Sequence, residues 1–358
     1  MSDSGSFADI PDVVRARVRD GERVLLIVLD AFGLEFVHRH AEHPFVQRLR
    51  VRPLRAQFPS TTTVEMTTLF FGMPVERHGL YEWNILEPSL PAIICPLRYT
   101  MAGSREEGEL ADRLPFATLA PGPTFYDQLG VRSLLLLPST IAGSRYSQMA
   151  AQGATVEPYT ELAAGVRAAL GALLTSGYGH ALVYWDEIDA TGHHQGPSSL
   201  EFSAACVSAL DSLLDALISV PDEITVLICA DHGQIEVNPA AVDYLDDLWP
   251  ELPGHLSYAR PAGSSRDVFL HVKPGDLELV ERELSTRLGE RAEVRLARDL
   301  FTDPGPRLAE RLGDLAILPA PSRQAWMRSA QANERWFHGQ HGGLHPAETE
   351  TYLAELLA

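Results

Sequence analysis

The sequence predicts an α/β fold in which a mostly parallel central sheet is flanked by helices. Two observations predict it. Three apolar runs end in carboxylates, as central parallel strands do when both faces are covered, and helical patterns stand between and after them. The runs are Arg23 to Asp30, Ala181 to Asp186 followed by Glu187-Ile188-Asp189, and Ile224 to Ala230 followed by Asp231-His232-Gly233.

Taken in order, the first strand leads to "FPSTTTVEMTTLFFG", residues 58–72, where four hydroxyl side chains, Ser60 to Thr63, precede an apolar stretch. Thr62-Thr63-Val64-Glu65 fits a capping box, with Thr62 as the cap and Glu65 reaching back to it. Residues 85–130 are rich in Pro and Gly, with "EPSLPAIICPL" and "LAPGPT" as breakers, and are expected to form a cap or insertion over the site. Helices are expected from Tyr159 to Leu174 and from Ser198 to Val220, the second with Phe202, Cys206, Leu210, Leu213 and Leu217 on one face. "RPAGSSRD", Arg260 to Asp267, reads as a mobile loop. A strand (Val268 to Val272), a helix (Asp276 to Leu288) and a strand (Ala292 to Leu296) then give a small α+β excursion over 260–300. The whole of 1–358 is expected to be one catalytic domain carrying these two insertions.

Composition excludes several function classes. The net charge of −19, from 29 basic against 48 acidic residues, argues against a nucleic-acid polymer as partner. A small anionic substrate stays open, provided positive charge is concentrated locally by metal ions or side chains. No apolar run is long enough to span a bilayer, so no membrane partner is expected. Residues 1–14 lack a cationic start followed by an apolar core, and the expected location is cytoplasmic. Cys95, Cys206 and Cys229 are widely spaced, so they read as buried small residues rather than as disulfides or metal ligands. Nothing bears on the oligomeric state.

In open parallel sheets, ligands sit beyond the carboxyl ends of the strands, where Asp30, Asp189 and Asp231-His232 fall. Carboxylates meeting at one rim repel unless cations neutralise them, so metal is the economical explanation. Asp189 and His193, four residues apart with Gly192 allowing a turn on a loop after the strand, suit one ion; Asp231 and His232 suit another. Either pair alone has a plain alternative, a His bonded to a nearby carboxylate.

Together, "VLLIVLDAFG", "FPSTTTVEMTTLFFGMPVERHG", "DEIDATGHHQGP", "CADHGQ" and "GQHGGL" resemble, in order and spacing, the motifs of the alkaline phosphatase superfamily, in particular its type I phosphodiesterase and nucleotide pyrophosphatase branch. The resemblance covers Val24 to Leu80, Ala181 to Gln234 and a piece around His341. It implies an alkaline-phosphatase-like fold and two divalent ions, zinc by preference with manganese also compatible. Asp30, Thr62, Asp231 and His232 would hold the first, and Asp189, His193 and His341 the second. The family's nucleophile stands ten residues before a helix-closing Gly; counting back from Gly72 gives Thr62, with Thr61 and Thr63 as competitors. The implied activity is hydrolysis of phosphate esters, chiefly phosphodiester or nucleotide pyrophosphate bonds, through a phosphothreonine intermediate.

The resemblance makes Asn84 of "HGLYEWN" a donor to a phosphoryl oxygen and makes His78 structural, while the spacing of His338, three residues before His341, suits it to support that residue. His345 before Pro346 reads as a cap of the following helix. Thr63-Val64-Glu65 after Thr62 departs from the aromatic-Pro-Asn-His of nucleotide pyrophosphatases proper, which leaves the nucleotide open; Tyr81 and Trp83 would stack on a base or simply pack. The alternatives are a phosphomonoesterase or phosphonate hydrolase on the same scaffold, and a non-catalytic binding homologue.

Overall fold

The computed structural model describes residues 5–330 and 336–357. Its first helix is α1 (Ile10–Arg19), followed by β1 (Arg23–Leu29), β2 (Leu49–Arg55) and α2 (Thr62–Phe71). Next come β3 (Ser133–Pro138), β4 (Ala154–Tyr159), α3 (Leu162–Thr175), β5 (His180–Trp185), α4 (Glu187–Gln195), α5 (Leu200–Ala216) and β6 (Ile224–Ala230). Further along lie α6 (Leu277–Leu288) and the closing strand β7 (Glu350–Leu356).

The eight-stranded central sheet runs, from one edge, Gly5–Ser6, β2, β7, β6, β1, β5, β3, β4. Only β7 is antiparallel to its neighbours, β6 and β2; the other pairings are parallel. Alternation explains why the central strands are apolar throughout. Leu25, Ile27 and Leu29 of β1 face a core shared with α3 and α5, whereas Val24, Leu26 and Val28 face one shared with α1 and α2. A sheet between two helical layers results.

Three departures from the expected elements have local causes. Tyr159 closes β4 instead of opening α3, because it continues the pairing with Pro138, and α3 begins at Leu162. The expected mobile loop is largely buried: Ala262 and Gly263 pair with Phe269 and Val268, and Arg266 and Asp267 are at most 2% exposed. Arg266 meets Glu348 through two 3.0 Å hydrogen bonds, a partner far along the chain that local composition cannot reveal. The strands Val268–Leu270 and Ala292–Leu296 do not pair directly; Leu315–Pro319 lies between them, and with α6 this sheet has its own core.

Residues 85–130 contain a three-stranded antiparallel sheet, Ile85–Glu87, Ala92–Cys95 and Thr100–Met101, and two short helices. Cys95, Cys206 and Cys229 are buried and form no disulfide. No described helix is long and apolar enough to cross a membrane.

Candidate active site

Register aligns the ends of the central strands. Val28 pairs with Cys229 on one side and Tyr184 on the other, and Leu29 pairs with Trp185. Asp30 and Asp231 therefore emerge side by side, as expected for strand ends at a ligand-binding rim. Ala31, directly after Asp30, has φ of 61°, an uncommon conformation for a residue with a Cβ. Its N–H donates to Asp231 Oδ1 at 3.1 Å, so the turn is tied across the rim. Gly33 and Gly233 let the two loops touch: a Cβ on Gly33 would stand 2.7 Å from Gly233 Cα.

The expected turn between Asp189 and His193 is instead the helix α4. Asp189 lies in its first turn and His193 in its last, one helical turn apart and on one face. Gly192 serves packing rather than a turn, since a Cβ there would fall 1.9 Å from Gln234 Oε1. Gln234 occupies that space and donates to the carbonyl and the carboxylate of Asp189.

Two groups of side chains able to hold a metal ion result: Asp30, Asp231 and His232, fully buried, and Asp189, His193 and His341, half-buried. Within each group the ligand atoms lie within 4.8 Å of one another. The groups adjoin, with the His232 and His341 rings stacked 3.8 Å apart. Their electrostatics fit a cation. His193, His232 and His341 each direct Nδ1 at a carbonyl, of Gly339, Gly233 and Ser60, at 2.8–3.0 Å. A carbonyl only accepts, so Nδ1 carries the proton and Nε2 presents its lone pair. Those Nε2 atoms face carboxylates: His193 to Asp189 at 3.2 Å, His232 to Asp231 at 3.4 Å and to Asp30 at 3.5 Å. Acceptor facing acceptor is unfavourable unless a cation or proton lies between.

The carboxylates show the same strain. Asp30 Oδ1 and Asp231 Oδ2 are buried with no hydrogen-bond partner among the described residues. Burial, then the nearby charges of Asp231 and Asp189, pushes the Asp30 carboxyl well above its ordinary range. Burial also works to raise Asp189, but positive charge at the His193, His341 and His232 positions outweighs it and holds that carboxyl low, the direction in which a bound cation would also act. Burial and the adjacent His232 hold His341 well below its usual value, leaving a neutral ring suited to ligation. Tyr184 supports the first group by donating its hydroxyl to Asp30 Oδ2.

Thr62 stands over the first group, its Oγ1 3.1 Å from His232 Nε2 and 3.4 Å from Asp30 Oδ2. The other hydroxyls are used elsewhere or buried. Ser60 donates to Gly343 O, Thr61 caps α2 by accepting from Val64 N, and Thr63 is 1% exposed. The cap is therefore Thr61, one residue earlier than expected, and Thr62 is the first helical residue. Glu65, displaced from the capping-box position, does not reach back. It is fully buried and accepts from the backbone and side-chain N–H of Gln57, turned away from the rim.

A cleft of about 510 Å³ opens over this centre, lined by Thr62, Asp189, His193 and His341. Asn84 lines it too; its Nδ2 donates one hydrogen to Gly263 O at 3.0 Å, which leaves the second. Of the aromatic pair, Trp83 lines the cleft, while Tyr81 is buried edge-on against Phe269. His78 is buried, accepting from Leu80 N. His338 does not support His341: it is exposed, and its backbone N–H meets His193 O at 2.7 Å. His345 caps the helix Pro346–Thr349.

Sequence reasoning missed the supports Tyr184 and Gln234, although Gln234 directly follows the Asp231-His232-Gly233 motif. It also missed Arg98, Arg105 and Arg260, which line the cleft.

The fold is shared with known structures. Over 93% of this chain, the murine ectonucleotide pyrophosphatase/phosphodiesterase 5 superposes with a TM-score of 0.70 at 16% identity, covering 88% of that protein. An inactive variant of the murine protein in complex with AMP and the human protein give the same score and identity, each covered to 87%. No curated protein matches the sequence. A model of the type I phosphodiesterase/nucleotide pyrophosphatase family matches residues 155–344, more than half of the chain. The chain belongs to that family and is a phosphodiesterase-like hydrolase.

Proposed function

We propose that the chain hydrolyses phosphodiester or nucleotide pyrophosphate bonds with the help of two divalent ions, Thr62 being the nucleophile. The observation that carries this reading is the placement of Thr62 Oγ1 against His232 and Asp30 at the start of α2, with Asp189, His193 and His341 facing the same cleft. Asp30, Asp231, His232 and the Thr62 oxygen would hold one ion, and Asp189, His193 and His341 the other. All donors are nitrogen or oxygen, which suits zinc and admits manganese. Bound there, the ions would neutralise the carboxylates, acidify the hydroxyl and offset the charge of the phosphoryl oxygens.

The chain's own groups do the rest. Thr62 loses its proton to solvent and attacks phosphorus in line, forming an O–P bond as the leaving oxygen departs. The positive end of the α2 dipole and the first-turn N–H groups favour the alkoxide and the bound phosphoryl group. Asn84 donates its second amide hydrogen to a phosphoryl oxygen. Water then attacks the phosphothreonine and Thr62 leaves. Residues 85–130 act as a cap that walls the cleft, with 260–300 as the second insertion of a single domain. A small phosphate ester is the substrate; the AMP complex of the murine neighbour supports a nucleotide. Three buried cysteines that form no disulfide are compatible with a cytoplasmic location.

The test is a side-by-side rate measurement with metal analysis. The purified protein should bind about two divalent ions, lose activity with chelator, and cleave bis-p-nitrophenyl phosphate faster than p-nitrophenyl phosphate. Faster monoester cleavage would make it a phosphomonoesterase. Bound metal without turnover of any ester would make it a binding homologue.

A further inference from the structure

We infer that Ser60 is a positioning residue that joins the Thr62 segment to the loop carrying His341, and that the group of Asp189, His193 and His341 keeps its affinity for metal through that joint. This deepens the two-ion reading and rests on it. Ser60 is fully buried and is not among the residues lining the cleft, so it stands back from the substrate. It acts through His341.

Each residue of the loop is bonded to Ser60. His341 Nδ1 donates to Ser60 O at 3.0 Å, Gly342 N donates to Ser60 Oγ at 3.3 Å, and Ser60 Oγ donates to Gly343 O at 3.0 Å. One hydroxyl thus serves two successive glycines, as acceptor for one and donor to the other. Segments 281 to 283 positions apart in sequence are held by this one side chain and its own carbonyl. The loop has little freedom elsewhere. Gly342 sits at φ of 118°, where a Cβ would stand 2.8 Å from Asp267 Oδ1, and Gly343 N donates to Glu348 Oε1 at 3.0 Å.

Ser60 is tied as closely to Thr62. Thr61 N donates to Pro59 O at 3.0 Å, which closes a three-residue turn centred on Ser60. Thr61 then caps α2, and Thr62 is its first residue. From Thr62 the contacts return: its Oγ1 lies 3.1 Å from His232 Nε2, and the His232 ring stacks on His341 at 3.8 Å. Ser60, Thr62, His232 and His341 therefore form a closed circuit, in which His341 cannot turn without pulling on the segment of the nucleophile. The carbonyls opposite His193 and His232 are those of Gly339 and Gly233; the one opposite His341 comes from this segment. That bond to Nδ1–H sets the tautomer that offers Nε2, and the hydroxyl keeps the carbonyl aimed by pinning Gly342 and Gly343 beside it. Without the hydroxyl, the ring stays in the site but is loosely aimed.

The experiment titrates metal-stripped protein with zinc against a chromogenic chelator, which reads binding without turnover. Wild type should take up about two equivalents. Ser60→Ala should bind one of them as wild type does, within about twofold, and the other about 10- to 100-fold more weakly, the loss typical of a partner that orients a metal-bound imidazole. In a His341→Ala background, which lacks the ring that Ser60 aims, adding Ser60→Ala should leave zinc uptake unchanged within about twofold. A thermal melt checks that each variant is folded; should Ser60→Ala not fold, Ser60→Gly replaces it, and failure of both assigns the hydroxyl to the fold and overturns the inference. Wild-type affinity for both equivalents in folded Ser60→Ala overturns it, as do equal weakening of both equivalents and an undiminished effect in the His341→Ala background. A wild type that binds both equivalents yet cleaves no ester overturns the phosphodiesterase reading alone, and the titration still decides the role of Ser60. A wild type that binds fewer than two equivalents overturns both.

Discussion

Thr62 Oγ1 lies 3.1 Å from His232 Nε2, which places a hydroxyl at the first residue of a helix in contact with one of two adjoining ligand groups. If that oxygen attacks phosphorus, Thr62→Ala should lower kcat by about 10³-fold or more. The fold and most metal binding should survive, because Asp30, Asp231 and His232 are untouched. Thr62→Ser keeps the oxygen and should retain measurable turnover. Near-normal turnover of Thr62→Ala with an inactive, folded Thr61→Ala or Thr63→Ala would move the role to that neighbour.

The buried carboxylates of Asp30 and Asp231 predict how the protein responds to metal removal. Stripped of cations, the rim leaves their oxygens facing each other and the His232 lone pair. Binding of zinc should therefore raise the melting temperature. At about 100 times Kd the linkage is about 2.7 kcal/mol per site. Asp231→Asn should relieve the repulsion and blunt the zinc response. A metal-stripped protein whose melting temperature does not respond to zinc would count against both ligand groups.

The sequence showed most where one residue carries the whole signal. β1, β5 and β6 are apolar on both faces, so they read as buried strands, and their register then brings Asp30 and Asp231 together. β2 escaped because "LRVRPLR" is largely exposed and Arg-rich, and β7 because "ETYLAEL" is composed like a helix. The position of Asp189 depended on whether a helix or a loop follows β5. Spacing of four suits both, and Gly192 tipped the reading toward a turn when its role is contact with Gln234. The three arginines were invisible as a group because residues 98, 105 and 260 meet only once the chain has folded.

That contact makes Gly192 a sensitive position. Gly192→Ala is harmless to a helix in isolation and even favoured by propensity. Here the added methyl would displace Gln234, whose amide holds Asp189. Activity should fall at least about tenfold, in keeping with losses at supports of metal ligands. Metal content should fall with it, while the far-ultraviolet circular dichroism stays unchanged. Full activity in Gly192→Ala would show that Asp189 does not depend on Gln234.

The Arg266–Glu348 pair sits under the loop that carries His341. Glu348 Oε1 accepts from Arg266 and from Gly343 N, while Arg266 also donates to Ala320 O and Arg323 O. Both side chains are essentially inaccessible, at 2% and 0%. Removing one partner leaves the other charge buried, so Glu348→Gln should destabilise by about 3–5 kcal/mol in urea unfolding. The double variant Arg266→Met/Glu348→Leu should recover part of that loss. A Glu348→Gln variant within about 0.5 kcal/mol of wild type would show that the pair contributes little.

His180 predicts acid lability away from the cleft. Its ring lies against Phe125 and Tyr126, and neither ring nitrogen has a partner among the described residues. Burial lowers its pKa from 6.5 to about 3. Below pH 6.5 the unfolded chain therefore takes up a proton that the folded chain refuses until about pH 3. Stability is full above the unfolded value and falls with acid across that window, by up to about 1.4 kcal/mol per pH unit. His78, also lowered to about 3 chiefly by burial, adds a decline of the same sign. His180→Leu removes one of the two titrations and keeps an apolar group between the rings. Measured by urea midpoint, the variant should gain about 2 kcal/mol relative to wild type between pH 6.5 and pH 5. Parallel stability curves for the two proteins over that range would show that His180 is protonated as readily in the folded chain as in the unfolded one.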